Sequence, residues 1–190
     1  MIGLLGGSFD PIHHGHLIVA RTLLEALGLE QVRFVPAREQ PFKVGRHAAP
    51  AEARARMVSL AIAGEPRFVL EPLELDRPGP SYTVDTLRAL RAREPGQAFA
   101  LLVGADAARD LPKWHQADAL AGLATLVVFA RAGLDVPALP WPSRTVSVPG
   151  VEISATAVRG RVAAGLPIRY WVPDPVAGFI SANGLYLADA

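Results

Sequence analysis

Residues 6 to 16 read Gly6-Gly7-Ser8-Phe9-Asp10-Pro11-Ile12-His13-His14-Gly15-His16 and follow directly on the apolar run Ile2 to Leu5. A first strand there hands over to a helix. Two glycines let backbone approach a phosphate closely, Pro11 stiffens the loop, and His13 and His16, three residues apart, can both offer ring N–H donors to a polyphosphate. A helix beginning near Gly15 adds its positive dipole end and its unpaired backbone N–H groups. The loop reads as an anion cradle. Three histidines in four residues also invite a zinc reading, but helical metal pairs use i, i+4 spacing with further ligands, and this chain has no cysteine and no His-Glu-x-x-His.

A second cradle is written near the other end of the chain. Ile153-Ser154-Ala155-Thr156-Ala157-Val158-Arg159 follows a strand-like segment and opens a helix. Ser154 or Thr156 can cap that helix, its N-terminus can receive phosphate oxygens, and Arg159 adds a cation one turn along.

Together these segments closely resemble the adenylyltransferases that act on nicotinate mononucleotide, whose first loop runs Gly-Gly-(Thr/Ser)-Phe-Asp-Pro-x-His-x-Gly-His and whose late motif runs Ile-Ser-(Ser/Ala)-Thr-x-(Ile/Val)-Arg. Two further words match. Pro80-Ser81-Tyr82-Thr83-Val84-Asp85-Thr86-Leu87 is similar to the family's Pro-Ser-Tyr-Thr-x-x-Thr-Leu, and Leu111-Pro112-Lys113-Trp114-His115 to its Leu-Pro-x-Trp element. The shorter His-x-Gly-His element belongs to the whole nucleotidyltransferase superfamily and marks chemistry, not substrate.

The resemblance implies adenylyl transfer from ATP to nicotinate mononucleotide, with Mg2+ carried on the ATP. It implies an ATP site of Gly6, Gly7, Ser8, Phe9, His13, His16, Gly104, Asp106, Ile153, Ser154, Thr156 and Arg159. It implies an acceptor site in which Thr83, Val84 and His115 face the pyridine carboxylate and Trp114 stacks on the ring. Asp106 is expected at ribose hydroxyls, with a helix N-cap as its alternative reading, and Arg131 at the same crevice. His13, His16, Lys43 and Arg159 are the expected catalytic donors. Gln40-Pro41-Phe42-Lys43 departs from the family's Pro-Pro-His-(Lys/Arg) loop, because Phe42 stands where histidine is usual. A helix N-terminus near Thr83 favours a carboxylate over a carboxamide, which brings its own donors. Other acceptors, nicotinamide mononucleotide or phosphopantetheine, and a non-catalytic nucleotide-binding protein are the alternatives.

Composition fits these expectations. A chain of 190 residues can bury one substantial core, and a net charge of +1 with no long basic run points away from a nucleic-acid partner. Absence of cysteine excludes disulfides, thiolate metal sites and a thiol nucleophile. No stretch reads as a signal peptide or membrane span, so the cytoplasm is expected.

The elements that must position these residues alternate short apolar runs with amphipathic stretches. That pattern predicts an α/β fold: a single Rossmann-like, doubly wound domain over residues 1–190, with a mainly parallel sheet and helices on both faces. Strands are expected at Ile2 to Leu5, Val32 to Val35, Arg67 to Leu70, Ala98 to Val103, Thr125 to Ala130 and Thr145 to Val148. Helices are expected around the stripe Leu17, Ala20, Leu24 and Leu27, stopped by Gly28; around Met57, Leu60 and Ala61; from Tyr82 to Arg93; and from Gln116 to Leu123. Residues 133–143, with Pro137, Pro140 and Pro142, read as a surface crossing. Asp174-Pro175 reads as an N-cap followed by proline at the first helical position, and Gly184 as the stop.

Overall fold

A computed structural model of the chain describes residues 1–39, 47–133 and 135–188. Six strands form the sheet: β1 Ile2–Gly7, β2 Gln31–Pro36, β3 Phe68–Leu70, β4 Phe99–Gly104, β5 Thr125–Arg131 and β6 Ser143–Val148. Their order is β3-β2-β1-β4-β5-β6, and every pairing is parallel. The order reverses between β1 and β4, so a crevice opens beyond the carboxyl ends of those two neighbours. The expected α/β class and parallel sheet are what the chain forms.

Parallel strands need both faces covered, and period-two alternation divides the side chains accordingly. Leu5, Ala100, Leu102 and Val127 face one core with α1 (His14–Ala26), where Leu23 and Leu24 are buried, and α2 (Ala51–Ile62), where Met57 and Val58 are buried. Ile2, Leu4, Leu101, Val103 and Val128 face the other, against Val84, Leu87 and Leu90 of α3 (Thr83–Arg93). The short α4 (Ala105–Ala108) and α5 (Leu120–Leu123) join that second core, whereas α6 (Ala155–Ala163) and α7 (Asp174–Ala182) send Val158, Val176 and Ile180 into the first.

Several boundaries differ from the sequence expectation. The Gln116 to Leu123 helix is a 3-10 turn, Ala117–Ala119, followed by one turn of α5, because Gln116 takes a left-handed conformation (φ 50°) and breaks the helical path at its start. Pro173, not Asp174, holds the N-cap position of α7: its ψ of 144° is extended, while Asp174 is already helical and leaves its carboxylate in the first turn. Of the two candidate caps on α6, Ser154 is the one that bonds, its Oγ accepting from the Ala157 N–H at 3.1 Å. Among the described residues, no helix is long and apolar enough to cross a membrane.

Candidate active site

β1 delivers Gly6 and Gly7 to the crevice, and six residues, 8–13, connect it to α1. Phe9 is the pivot. It takes a positive φ of 48°, and its ring is buried against Gly7, where an added Cβ would come within 3.0 Å of the ring. Gly7 is therefore required by packing. A Cβ on Gly6 would meet nothing within 4 Å, so its bare backbone faces space that a ligand can enter.

His13 is the N-cap residue of α1 and is buried; His16 is half-buried one turn in. Their rings stack with centroids 3.7 Å apart, and Phe9 meets the His16 ring edge-on at 5.1 Å. Gly15 makes room for this stack, since a Cβ there would lie 3.0 Å from His13 Nδ1. The His13 backbone N–H donates to His16 Nδ1 at 3.2 Å, so a neutral His16 carries its proton on Nε2 and can donate from there. Burial, reinforced by His14, pushes the His13 imidazole down to about 4. Burial and the neighbouring His13 hold His16 well below the ordinary histidine range. Both rings are thus neutral at pH 7, and His13 Nδ1 is buried with no hydrogen-bond partner.

The two ends of the chain meet here. Arg159 Nη1 donates to the Asp10 carbonyl oxygen at 2.7 Å, and a Cβ on Gly15 would sit 3.7 Å from the Ile153 carbonyl oxygen. The Asp10 side chain is itself buried, accepting from the backbone N–H groups of Ala48 (2.7 Å) and Ala49 (3.2 Å) and from the Tyr186 hydroxyl (2.7 Å). Arg54, 1% exposed, points its guanidinium at four backbone carbonyls: Ser8 (2.7 Å), Ala37 (2.8 Å), Arg38 (3.0 Å) and Ala49 (3.2 Å). These bonds tie the loops after β1 and β2 together. Sequence reading gave no role to Asp10, Arg54 or Tyr186. Only Asp10, inside the first motif, carried a signal.

Gly6 and Gly7 also form one edge of a cavity of about 640 Å³ that runs over the carboxyl ends of β1 and β4 to α3 and the Trp114 segment. Thr83, Gly104, Trp114 and His115 line it. The first turn of α3 has no side-chain cap, which leaves the Thr83 and Val84 backbone N–H groups available to an anion. The Val84 side chain is fully buried in the core, so only its backbone can act. The His115 ring lies 4.4 Å from that of Tyr82, and Trp114 is half-buried against the second core. Glu74 was not anticipated: its carboxyl is buried in the wall of this cavity and accepts from Thr86 Oγ1 at 2.7 Å.

Two expected residues stand apart. Asp106 is exposed in the first turn of α4, 3.5 Å from Arg109, and does not line the cavity; nor is it an N-cap, a position held by Gly104. Arg131 is exposed at the end of β5, also off the cavity. Lys43 and Phe42 lie outside the described residues. Among the described residues there is no group of three or more His, Asp or Glu side chains that could hold a metal ion.

A doubly wound parallel sheet with a His-x-Gly-His loop at its switch point, closed by a late Ser-x-Thr-x-x-Arg helix, defines a nucleotidyltransferase, and the cytidylyltransferase-like family model matches residues 4–161. Over 185 residues the chain is 50% identical to a protein of Thermus thermophilus named a probable nicotinate-nucleotide adenylyltransferase, covering 97% of this chain and 98% of that one. A Roseiflexus protein of the same name is 46% identical over 194 residues, with 97% of each chain covered. The chain belongs to the nicotinate-nucleotide adenylyltransferase family. In fold it is similar to the nicotinic acid mononucleotide adenylyltransferase of Plasmodium falciparum solved with NaAD, with a TM-score of 0.78, 18% identity, and 97% and 96% of the two chains covered.

Proposed function

We propose that this chain, acting as one nucleotidyltransferase domain, transfers the adenylyl group of ATP to nicotinate mononucleotide, giving nicotinate adenine dinucleotide and pyrophosphate in NAD synthesis. The observation that carries the reading is the hydrogen bond from Arg159 to Asp10, which sets the late helix of the sequence against the histidine loop that follows directly on Gly6 and Gly7 at the cavity's edge. Family membership supports the same substrates.

The acceptor phosphate is already a competent nucleophile, so the reaction needs neither a general base nor a covalent intermediate. One of its oxygens attacks the α-phosphorus of ATP; the bond from that phosphorus to the α–β bridging oxygen breaks, and the electron pair leaves with pyrophosphate. The protein supplies alignment and charge neutralisation. Gly6 backbone, His13, His16 and the N-terminus of α6 receive the triphosphate; Arg159, with Lys43, neutralises charge that grows on the leaving group. Neutral His13 and His16 serve first as N–H donors. Thr83 and Val84 N–H groups and His115 take the pyridine carboxylate, and Trp114 covers the ring. Nucleotidyl transfer generally uses a divalent metal with the nucleotide, here Mg2+ on the ATP phosphates.

Pyrophosphate release, measured with ATP and Mg2+ against nicotinate mononucleotide, nicotinamide mononucleotide and phosphopantetheine in parallel, tests the reading. Release is expected to be fastest with the nicotinate compound. Binding of ATP without release with any acceptor would make the chain a nucleotide-binding protein instead.

A further inference from the structure

Glu74 is a buried carboxyl that the chemistry above does not use. It lies in the loop before α3, is 7% exposed, and lines the same cavity as Thr83 and Trp114. Its Oε1 accepts from Thr86 Oγ1 at 2.7 Å, and that hydroxyl is 3.3 Å from the Tyr82 carbonyl oxygen, so two contacts separate the carboxyl from the Tyr82–Thr83 peptide. Arg77 Nη2 donates to the same Thr86 oxygen at 3.0 Å. An acid has been built into the wall beside the uncapped helix turn.

We propose that Glu74 is a specificity-determining residue of the acceptor end, weighing an anionic pyridine substituent against an amide one according to whether its own carboxyl is charged. The proposal rests on the acceptor reading given above. In a water-poor wall two neighbouring carboxylates disfavour each other's ionisation. An ionised Glu74 therefore opposes an acid substituent but accepts from a carboxamide NH2; a protonated Glu74 loses the repulsion and can donate. Burial pushes the Glu74 carboxyl above the usual carboxylate range, against the opposing pull of Thr86, Arg77 and Ser81.

Other charges face this group. Arg77 shares its loop, and Arg38 reaches in to hold the Leu75 carbonyl at 2.6 Å. Tyr82 holds the N-cap position of α3 without a side-chain cap, and Asp110, Lys113 and His115 line the cavity from the 110–115 segment.

The test is the ratio of kcat/KM for nicotinate mononucleotide to that for nicotinamide mononucleotide, at saturating ATP and Mg2+, between about pH 5.5 and 8.5. Ionisation of the ribosyl phosphate is common to both acceptors and cancels in the ratio. The wild-type ratio is expected to fall by about tenfold as pH rises, and to stay high and flat in Glu74→Gln, which keeps the shape of the side chain and an acceptor for Thr86. Thr86→Val, which removes the hydroxyl that donates to Glu74, should move the fall to higher pH, and this arm keeps the proposal falsifiable even if Glu74→Gln fails to fold. A pH-independent wild-type ratio overturns the proposal, as does a slope that survives in Glu74→Gln or stays at the same pH in Thr86→Val. Those failures leave the acceptor reading standing, whereas transfer to neither mononucleotide removes both.

Discussion

Arg159 Nη1 and the Asp10 carbonyl oxygen, 149 residues apart in sequence, are joined by a 2.7 Å hydrogen bond. The bond commits one guanidinium N–H to backbone and holds the remaining charge at the mouth of the histidine loop. Arg159 is only partly buried, and its other contact, Nη2 to Thr156 Oγ1, is a long 3.4 Å.

Arg159→Ala should therefore reduce kcat by roughly 100-fold while lowering stability by no more than about 1 kcal/mol. Arg159→Lys should recover only part of the loss, since an ammonium cannot bond Asp10 and a phosphate in the same fixed fork. Single-turnover rates set beside thermal unfolding of the same preparations check both statements. Equal losses of rate and stability would make Arg159 a structural tie alone.

The stacked histidines give a prediction about pH. His13 titrates at about 4 in the folded chain against an ordinary 6.5, and His16 is shifted the same way. The folded state thus binds fewer protons than the unfolded state between these values, and stability falls as pH drops from about 6.5 toward 4. For His13 alone the loss approaches roughly 3 kcal/mol. Urea unfolding at a series of pH values should show this slope in the wild type and a shallower one in His13→Gln. ATP binding should also take up protons near pH 6, because a polyphosphate favours the charged imidazole; calorimetry in buffers of different ionisation enthalpy measures that uptake directly.

Asp10 gathers two backbone N–H groups and a phenol hydroxyl onto one carboxylate. Tyr186→Phe removes one neutral donor and should cost about 1 kcal/mol. Asp10→Asn places an NH2 against donors and should cost about 2 to 4 kcal/mol and slow transfer, since Arg159 hangs from the same residue. Equilibrium unfolding of the two variants side by side checks the ordering.

How far the sequence could be read follows from where each signal resides. β1, β4, β5 and both phosphate-loop motifs were legible because apolar runs, glycines and a proline encode local conformation, and Ser154 caps α6 from within that local code. Arg54 was not. A charge between helical turns reads as solvated, and its burial depends on carbonyls from the two loops after β1 and β2 converging in space. The Tyr186–Asp10 bond spans 176 residues and has no local signature. Glu74 sits in a Pro- and Gly-rich stretch that reads as surface, yet the loop folds inward over α3. Arg131 ends β5 and Asp106 lies in the first turn of α4, two residues past β4; which way a side chain leaves such a junction is set by the turn that follows, and both are exposed.

Trp114 offers a test of the acceptor end separate from the phosphates. It is half-buried and reaches the cavity between His115 and the second core. Trp114→Ala should raise KM for nicotinate mononucleotide by roughly tenfold through lost ring contact, and leave KM for ATP within about twofold. Trp114→Phe should recover most of the loss. Equal effects on both substrates would place the indole at the junction between the nucleotides.

Arg54 separates scaffold from chemistry most sharply. Its guanidinium satisfies the Ser8, Ala37, Arg38 and Ala49 carbonyls, so Arg54→Met fills the volume but leaves buried acceptors without donors. Each orphaned group costs about 1 to 3 kcal/mol, and the sum should be at least about 3 kcal/mol even after some carbonyls find water. Arg54→Lys can reach at most part of the set and should fall between. Because Ser8 and Ala37 follow the strands that floor the cavity, the folded fraction of Arg54→Lys should also bind ATP more weakly, while acceptor affinity, set by α3 and Trp114, stays near wild type. Titration of ATP and of nicotinate mononucleotide into Arg54→Lys below its unfolding transition measures that split, and parallel losses for both ligands would show that Arg54 supports the sheet as a whole and not the phosphate loop in particular.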